Sequence, residues 1–277
     1  MLPLFITWNV DPTAFTIPFI DKEIRWYGFA FAIGFALGTW MVYKIWKNEK
    51  LNIDWIENLF YYVIISATIG ARLGHCFFYD PIHYLNHPFE ILKIWEGGLA
   101  SHGGTLGIII AIWIYSKKVT RKSMLWTFDR LVVPVGFVGA LIRLGNLMNS
   151  EVYGHPTTLP WGFRFVRDPH WYMPLARGGS DALPCHPTQL YEAFFYILTS
   201  IICVWMYWKR KDYKYQGLIF GVFLLGIFLS RFFLEFLKNN QKDFEEGMLL
   251  NMGQLLSIPF ILAGVWFTYK GLKEKYK

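Results

Sequence analysis

Seven long apolar runs, separated by polar connections, constrain this chain more than any other feature. They lie near residues 25–45, 55–79, 99–116, 129–149, 188–208, 216–237 and 252–270. A helix needs roughly 20 mainly apolar residues to cross a bilayer, and inside lipid a helix satisfies its own backbone groups. The runs therefore predict an all-α polytopic membrane protein with seven transmembrane helices. The run at 99–116 is the shortest and starts in the polar, glycine-rich string "LASHGGTLG". Composition agrees: 54% of the 277 residues are hydrophobic, 19% aromatic and only 17% charged, which is too apolar for an ordinary soluble domain.

The net charge of +7 is distributed in clusters. Lys44, Lys47 and Lys50 follow the first run; Lys117, Lys118, Arg121 and Lys122 follow the third. Lys209, Arg210, Lys211 and Lys214 follow the fifth, and Lys270, Lys273, Lys275 and Lys277 end the chain. Short basic loops stay cytoplasmic, so the N-terminus is expected outside and the C-terminus in the cytoplasm. Such clusters suit an anionic leaflet, and no nucleic-acid partner is expected. The first apolar run has no small-residue cleavage site behind it, so no cleavable signal peptide is expected. Residues 1–277 read as a single membrane domain, with a Pro-, Gly- and aromatic-rich insertion at 150–187, carrying Arg164, Arg167 and Arg177, as a small extracytoplasmic head between spans four and five. Cys76, Cys185 and Cys203 are far apart and specify neither a disulfide framework nor a zinc site.

Charges within the spans are the functional candidates, since each costs about 2.5–3.5 kcal/mol on insertion scales. Arg72 interrupts the second span in "TIGARLGHCFF", Arg143 the fourth, and Arg231 and Glu235 the sixth in "SRFFLEFL". A spacing of four lets Arg231 and Glu235 pair on one helix face. Three arginines against one glutamate leave room for an anion, and arginine grips phosphate through paired N–H donors. A lipid phosphate is the nearest candidate. In "IRLGNLMNSEVYG", residues 142–154, Arg143 and Asn146 share a face, and Asn149, Glu151 and Gly154 follow where the helix ends. In "WEGGLASHGGTLG", residues 95–107, Gly103 and Gly104 open a helix whose start suits an anion, with His102 beside them to take a proton near neutral pH. "HPTQLYE", residues 186–192, reads either as a third polar string or as a plain start of the fifth span, with Pro187 in its first turn. No phosphate-binding GxxxxGK[ST] loop, HExxH zinc motif or GxSxG elbow occurs, so no metal or other cofactor is asked for.

Taken together and in order, "HGGTLG", "RLGNLMNSEVYG", "HPTQLYE", "RFFLEF" and "NMGQLLSIPFILAG" resemble the prolipoprotein diacylglyceryl transferases of the bacterial inner membrane, over nearly the whole chain from "IRWYG" at residues 24–28 onward. The resemblance implies transfer of the sn-1,2-diacylglyceryl group from phosphatidylglycerol to the lipobox cysteine thiol of a prolipoprotein, with release of glycerol 1-phosphate. Phosphatidylglycerol, the prolipoprotein signal peptide and membrane lipids are the implied partners. A bundle enclosing a lipid cavity that opens sideways into the bilayer is the implied fold. By the same resemblance His102, Arg143, Arg231, Glu235 and Tyr27 are the catalytic candidates. Arg143, Asn146, Glu151, Gly154, Gly103, Gly104 and Arg72 are the candidates for holding phosphatidylglycerol. A thiol with a pKa near ~8.5 must ionise before it attacks carbon; spacing leaves open whether His102 takes that proton or arginines activate thiol and lipid. The chain departs from many relatives at Lys238, where an arginine is usual, at His75, where a tyrosine is usual, and at Thr105, where an aliphatic is usual. A transporter or scramblase for anionic lipids is the alternative, its arginines lining a pathway. A phosphatidyltransferase of the CDP-alcohol type would need clustered aspartates, which no span has.

Overall fold

A computed structural model describes residues 5–19, 21–94, 98, 100–168, 183–239 and 247–277. Most of these are helical: α1 (Trp26–Asn48), α2 (Asp54–Tyr79), α3 (Pro81–Asn86), α4 (Ser101–Tyr115), α5 (Met124–Met148), α6 (Thr188–Trp205), α7 (Leu218–Leu234) and α8 (Met252–Lys275). Among the described residues, six helices are long and apolar enough to cross a membrane: α1, α2, α5, α8, α6 with its continuation to Arg210, and α7 with its continuation to Leu237. Their bounds follow six of the apolar runs closely. The run at 99–116 differs. It forms α4, only 15 residues long, followed by a wider π-type turn at Ser116–Thr120, so six of the seven expected spans meet the length and composition of a crossing helix.

Four short strands also depart from the all-α expectation. β1 (Ile6–Trp8) pairs in parallel with β4 (Phe163–Phe165), and β2 (Thr13–Ile17) forms an antiparallel hairpin with β3 (Lys22–Arg25). Apart from Arg25, at the edge of the first run, all lie outside the apolar runs, where three to five residues per strand are too few to register as an alternating pattern. The β1–β4 pair lies on a small core of Leu147, Tyr153, Phe163, Phe165 and Cys185, against which Trp8 and Leu190 pack. Arg167 ties this region to the N-terminal segment through Asp11 and Asn9, both at 2.7 Å. Arg177 lies outside the described residues.

The chain gathers into two compact units, one of residues 1–41 with 129–277, the other of residues 42–128. In the second, α2 and α4 meet backbone to backbone. A methyl on Gly74 would stand 2.7 Å from the Gly103 Cα, and one on Gly70 would stand 3.1 Å from the Gly107 Cα. Small residues at such a crossing are how membrane helices gain packing where no hydrophobic drive exists between them.

In the first unit a buried acid sets where α7 begins. Asp129, on α5 and fully buried, accepts hydrogen bonds from the backbone N–H of Gly217 at 2.6 Å and of Phe220 at 2.9 Å. A carboxylate at a helix start satisfies orphan donors and opposes the positive end of the helix dipole. Nearby, buried Asp212 pairs with Arg210 at 2.9 Å and Lys275 at 2.6 Å, tying the end of α8 to the chain just before α7.

Two predictions follow from this packing. Asp129→Ala strands two backbone donors and should lower stability by about 2 kcal/mol or more, measured as thermal unfolding in detergent, with Asp129→Asn intermediate. Burial pushes the Cys185 thiol up to about 12 from 9.0. Its contribution to stability is thus present below the unfolded value near 9.0 and lost as pH climbs towards about 12. In native protein at pH 8.5, Cys185 should resist alkylation and react only after unfolding, as read by mass spectrometry of the labelled peptide.

Candidate active site

The turn that follows α5 places the first group of polar side chains. Ser150 and Val152 both adopt left-handed backbone conformations, with φ of 56° and 61°. Such conformations cost free energy in residues other than glycine and persist only where surrounding contacts fix them. The contacts come from the start of α6: Gln189 Nε2 donates to the Glu151 carbonyl at 2.7 Å, and Thr188 Oγ1 to the Val152 carbonyl at 3.0 Å. The "HPTQ" string is therefore the splint of the "NSEVYG" turn.

Within that turn the side chains form a relay. Arg143 Nη1 donates to Asn146 Oδ1 at 3.2 Å, and Asn146 Nδ2 donates to Glu151 Oε1 at 2.9 Å. Asn149 Nδ2 donates to the same oxygen at 3.2 Å. Glu151 is thus the acceptor that fixes which way the Asn146 amide points, and the Asn146 oxygen in turn orients Arg143. Tyr27, on α1, packs against Gly145, where a methyl would stand 3.0 Å from the tyrosine's Cα and Cδ2. Its hydroxyl lies within electrostatic reach of Glu151 and Arg143.

Two residues that sequence reasoning did not select complete the group. Glu192, on α6, is fully buried; one oxygen lies 3.0 Å from Arg143 Nε and the other 2.9 Å from Lys238 Nζ. Lys238, itself buried, also reaches Glu235 at 3.2 Å. The signal for Glu192 was present in "HPTQLYE", where the Pro187 helix start was an equally good reading. The signal for Lys238 was its position after "RFFLEF". Gly154 lets the two segments meet: His155 N–H donates to the Leu237 carbonyl at 2.8 Å and Asn239 Nδ2 to the Gly154 carbonyl at 3.1 Å. A methyl on Gly154 would press on the Leu237 carbonyl and stand 2.8 Å from Thr188 Cγ2. Gly253, at the start of α8, similarly leaves space for the Glu235 carboxyl group.

The structure corrects the expected Arg231–Glu235 pair. Glu235 is engaged by Lys238, and no ion pair joins it to Arg231 among the described residues. The reason is local. The Glu235 N–H still closes a helical bond to the Arg231 carbonyl, but α7 ends at Leu234 and the 3₁₀ turn at Glu235–Leu237 brings Lys238 to the Glu235 carboxylate, which it takes instead. Arg231 instead acts on Glu192 and Tyr196 through its field and makes no hydrogen bond or ion pair with the described residues. The charge count changes too, since Glu151 and Glu192 stand with Glu235 opposite Arg143, Arg231 and Lys238.

The second unit carries the other candidates. Arg72 spends its guanidinium on backbone carbonyls, Nη2 on Glu90 at 2.6 Å, Nε on Ile91 at 3.0 Å and Nη1 on Gly98 at 3.4 Å, and it lies over the Tyr84 ring. Gly98, at φ +68° and against Arg72 and His75, occupies a position that only glycine fills without strain. Trp95, Glu96, Gly97 and Leu99 lie outside the described residues. Gly103 and Gly104 are buried and face α2, so their visible work is close helix packing. The His102 ring is half-buried between Phe78, edge-on at 5.2 Å, and Tyr79 at 5.9 Å. A groove of about 610 Å³ runs along α2 and α4, lined mainly by apolar side chains such as Ile65, Ile69, Phe77, Leu106 and Ile110. It reaches Phe78 and Gly103, the neighbours of His102.

Comparison with known proteins bears directly on these strings. The family model described as prolipoprotein diacylglyceryl transferase matches residues 12–270. The phosphatidylglycerol–prolipoprotein diacylglyceryl transferase of Porphyromonas gingivalis is 55% identical, over 99% of this chain and 97% of its own length. That of Chloroherpeton thalassium is 44% identical, over 98% and 96%, and that of Tolumonas auensis 41%, over 97% and 98%. The match spans both units and every motif described above, which a shared membrane fold alone would not produce: the chain belongs to the prolipoprotein diacylglyceryl transferase family.

Proposed function

We propose that the chain transfers the sn-1,2-diacylglyceryl group of phosphatidylglycerol to the lipobox cysteine of prolipoproteins in the bacterial inner membrane. The observation that supports this reading best is Arg231, a cation on a spanning helix with no ion pair among the described residues, in electrostatic reach of the Glu192 that holds Arg143. Such an arginine suits a substrate anion. In the proposed step the thiolate sulfur forms a bond to the terminal glycerol carbon of the diacylglyceryl group. The bond from that carbon to the phosphate oxygen breaks, and its electron pair leaves with glycerol 1-phosphate. Charge thereby grows on the phosphate, where fixed arginines stabilise it more than in the ground state.

Arg143 and Arg231 are the phosphate clamp in this reading. Asn146, Glu151 and Glu192 orient Arg143, while Gly154 and Lys238 hold the turn and the end of α7 together. Tyr27 borders the headgroup. His102 takes the thiol proton, Gly103 and Gly104 set the start of α4, and Arg72 fixes the connection before it.

The proposed topology has seven spans, with α4 and the π-type turn as the third, the N-terminus outside, residues 150–187 as the outer head and the C-terminus in the cytoplasm. The basic clusters support it, since all four then lie on one side. The whole chain works as one membrane-embedded enzyme.

Purified protein, phosphatidylglycerol vesicles and a lipobox peptide test the reaction. The expected product is a peptide heavier by one diacylglyceryl group on cysteine, absent when the cysteine is serine; unmodified peptide alongside accelerated lipid movement between leaflets would favour the scramblase instead. Arg143→Ala should reduce turnover by about 10²–10³-fold while the protein still inserts in membranes. Glu192→Gln leaves Arg143 and Lys238 without their shared anion, and should destabilise the fold by about 3–5 kcal/mol as well as reduce turnover. Thermal unfolding and peptide mass spectrometry read the two effects separately.

A further inference from the structure

The connection after α2 carries a pattern that the transfer reaction does not use. It consists of α3 and a 3₁₀ turn at Pro88–Leu92, and it divides into three stripes. Tyr84 and Ile91 face the anchoring side, where Arg72 lies over the Tyr84 ring and holds the Ile91 carbonyl. His83, His87, Glu90 and Lys93 form a polar stripe: His83 Nε2 lies 2.7 Å from Glu90 Oε2, Lys93 Nζ lies 3.2 Å from Glu90 Oε1, and the two histidine rings stack at 4.9 Å. Ile82, Leu85, Phe89 and Leu92 form the third stripe, at successive spacings of three, four and three. They are 76%, 68%, 83% and 70% exposed. Four large apolar side chains so exposed in one row mark an interaction surface.

We propose that residues 81–92 are an in-plane membrane anchor whose Ile82, Leu85, Phe89 and Leu92 stripe inserts into the lipid surface at the end of α2. Continuity selects lipid as the occupant. The last residues of α2, a helix fit to cross the membrane, are the exposed aromatics Phe77, Phe78 and Tyr79, and the stripe begins three residues later, after the Asp80 cap of α3. Aromatic residues concentrate at the membrane–water boundary, and a short element with one apolar and one polar face lies along that boundary. Phe78 and Tyr79 also flank the His102 ring. The anchor therefore holds that end of α2 and α4 at headgroup depth. That this is the outer surface rests on the topology proposed above.

Single cysteines at Leu85→Cys and Phe89→Cys on the apolar stripe, and at His83→Cys and His87→Cys on the polar one, test this in the full chain. The three native cysteines are buried, so a spin label reports the introduced site. In vesicles of phosphatidylglycerol and phosphatidylethanolamine, labels at 85 and 89 should collide several-fold more with oxygen than with a water-soluble nickel chelate, and labels at 83 and 87 should show the reverse. Equal chelate access at all four positions overturns the proposal. So does protection of 85 and 89 from both probes, which would mean a protein partner or a second copy. Ile82→Cys and Leu92→Cys repeat the measurement at the ends, so one variant that fails to assemble does not remove the test. The readout needs no turnover, so it stands or fails separately from the transferase activity.

Discussion

Burying a carboxylate in a membrane helix is among the most costly placements available to a chain, and Glu192 is buried completely. Its position is tenable because Arg143 approaches one oxygen and Lys238 the other. Those two cations come from α5 and from the segment after α7, so the glutamate on α6 fixes three parts of the chain relative to one another. Lys238 extends the constraint to Glu235, which rests against Gly253 at the start of α8. Without this alternation of charges, each member would be an unpaired ion in an apolar setting. With it, Arg143 has a fixed direction and a fixed charge. In the proposed role as a phosphate clamp that rigidity matters, because an arginine that must reorganise on binding loses part of what the contact provides.

Backbone strain serves the same end. The turn at Ser150–Val152 is held in left-handed conformations by Thr188 and Gln189, and it delivers Glu151 to Asn146 and Asn149. Glycine at 154 then allows the returning strand-like contact with Leu237 and Lys238. A string that looks like a polar break in an apolar run is thus the place where four segments are tied. Its polar residues divide their work between holding the turn and aiming the arginine.

Apolar periodicity made the spanning helices legible, because lipid imposes a length and a composition that few other structures need. Six of the runs appear as crossing helices nearly where they were drawn, and the third falls short because its regular helix, which includes the glycines, spans only 15 residues before the π-type turn at Ser116–Thr120. The short strands were not legible, since segments of three to five residues carry no period. Arg143, Asn146 and Glu151 were legible as a group because a charge in a span demands a partner, and helix spacing narrows the choice. Glu192 and Lys238 were not, because their pairing joins residues 46 positions apart. Spacing within one helix also misled at Arg231 and Glu235, where Lys238, three residues further on, takes the carboxylate instead.

The two intramembrane arginines outside the relay show why residue type alone does not assign a role. Arg72 and Arg231 look alike in sequence, each an arginine in an apolar span. Arg72 is almost fully buried, and its nitrogens are taken up by the carbonyls of Glu90, Ile91 and Gly98. These carbonyl oxygens accept from its donors, so the residue helps to fold a connection whose backbone acceptors it satisfies. Arg231 is only half-buried and has no such set of acceptors among the described residues, while Glu192 and Tyr196 lie in its field. The same guanidinium is a structural tie where acceptors surround it and stays open to the proposed substrate anion where they do not. The difference is fixed by which segments the fold brings near, and no local pattern in the sequence states it.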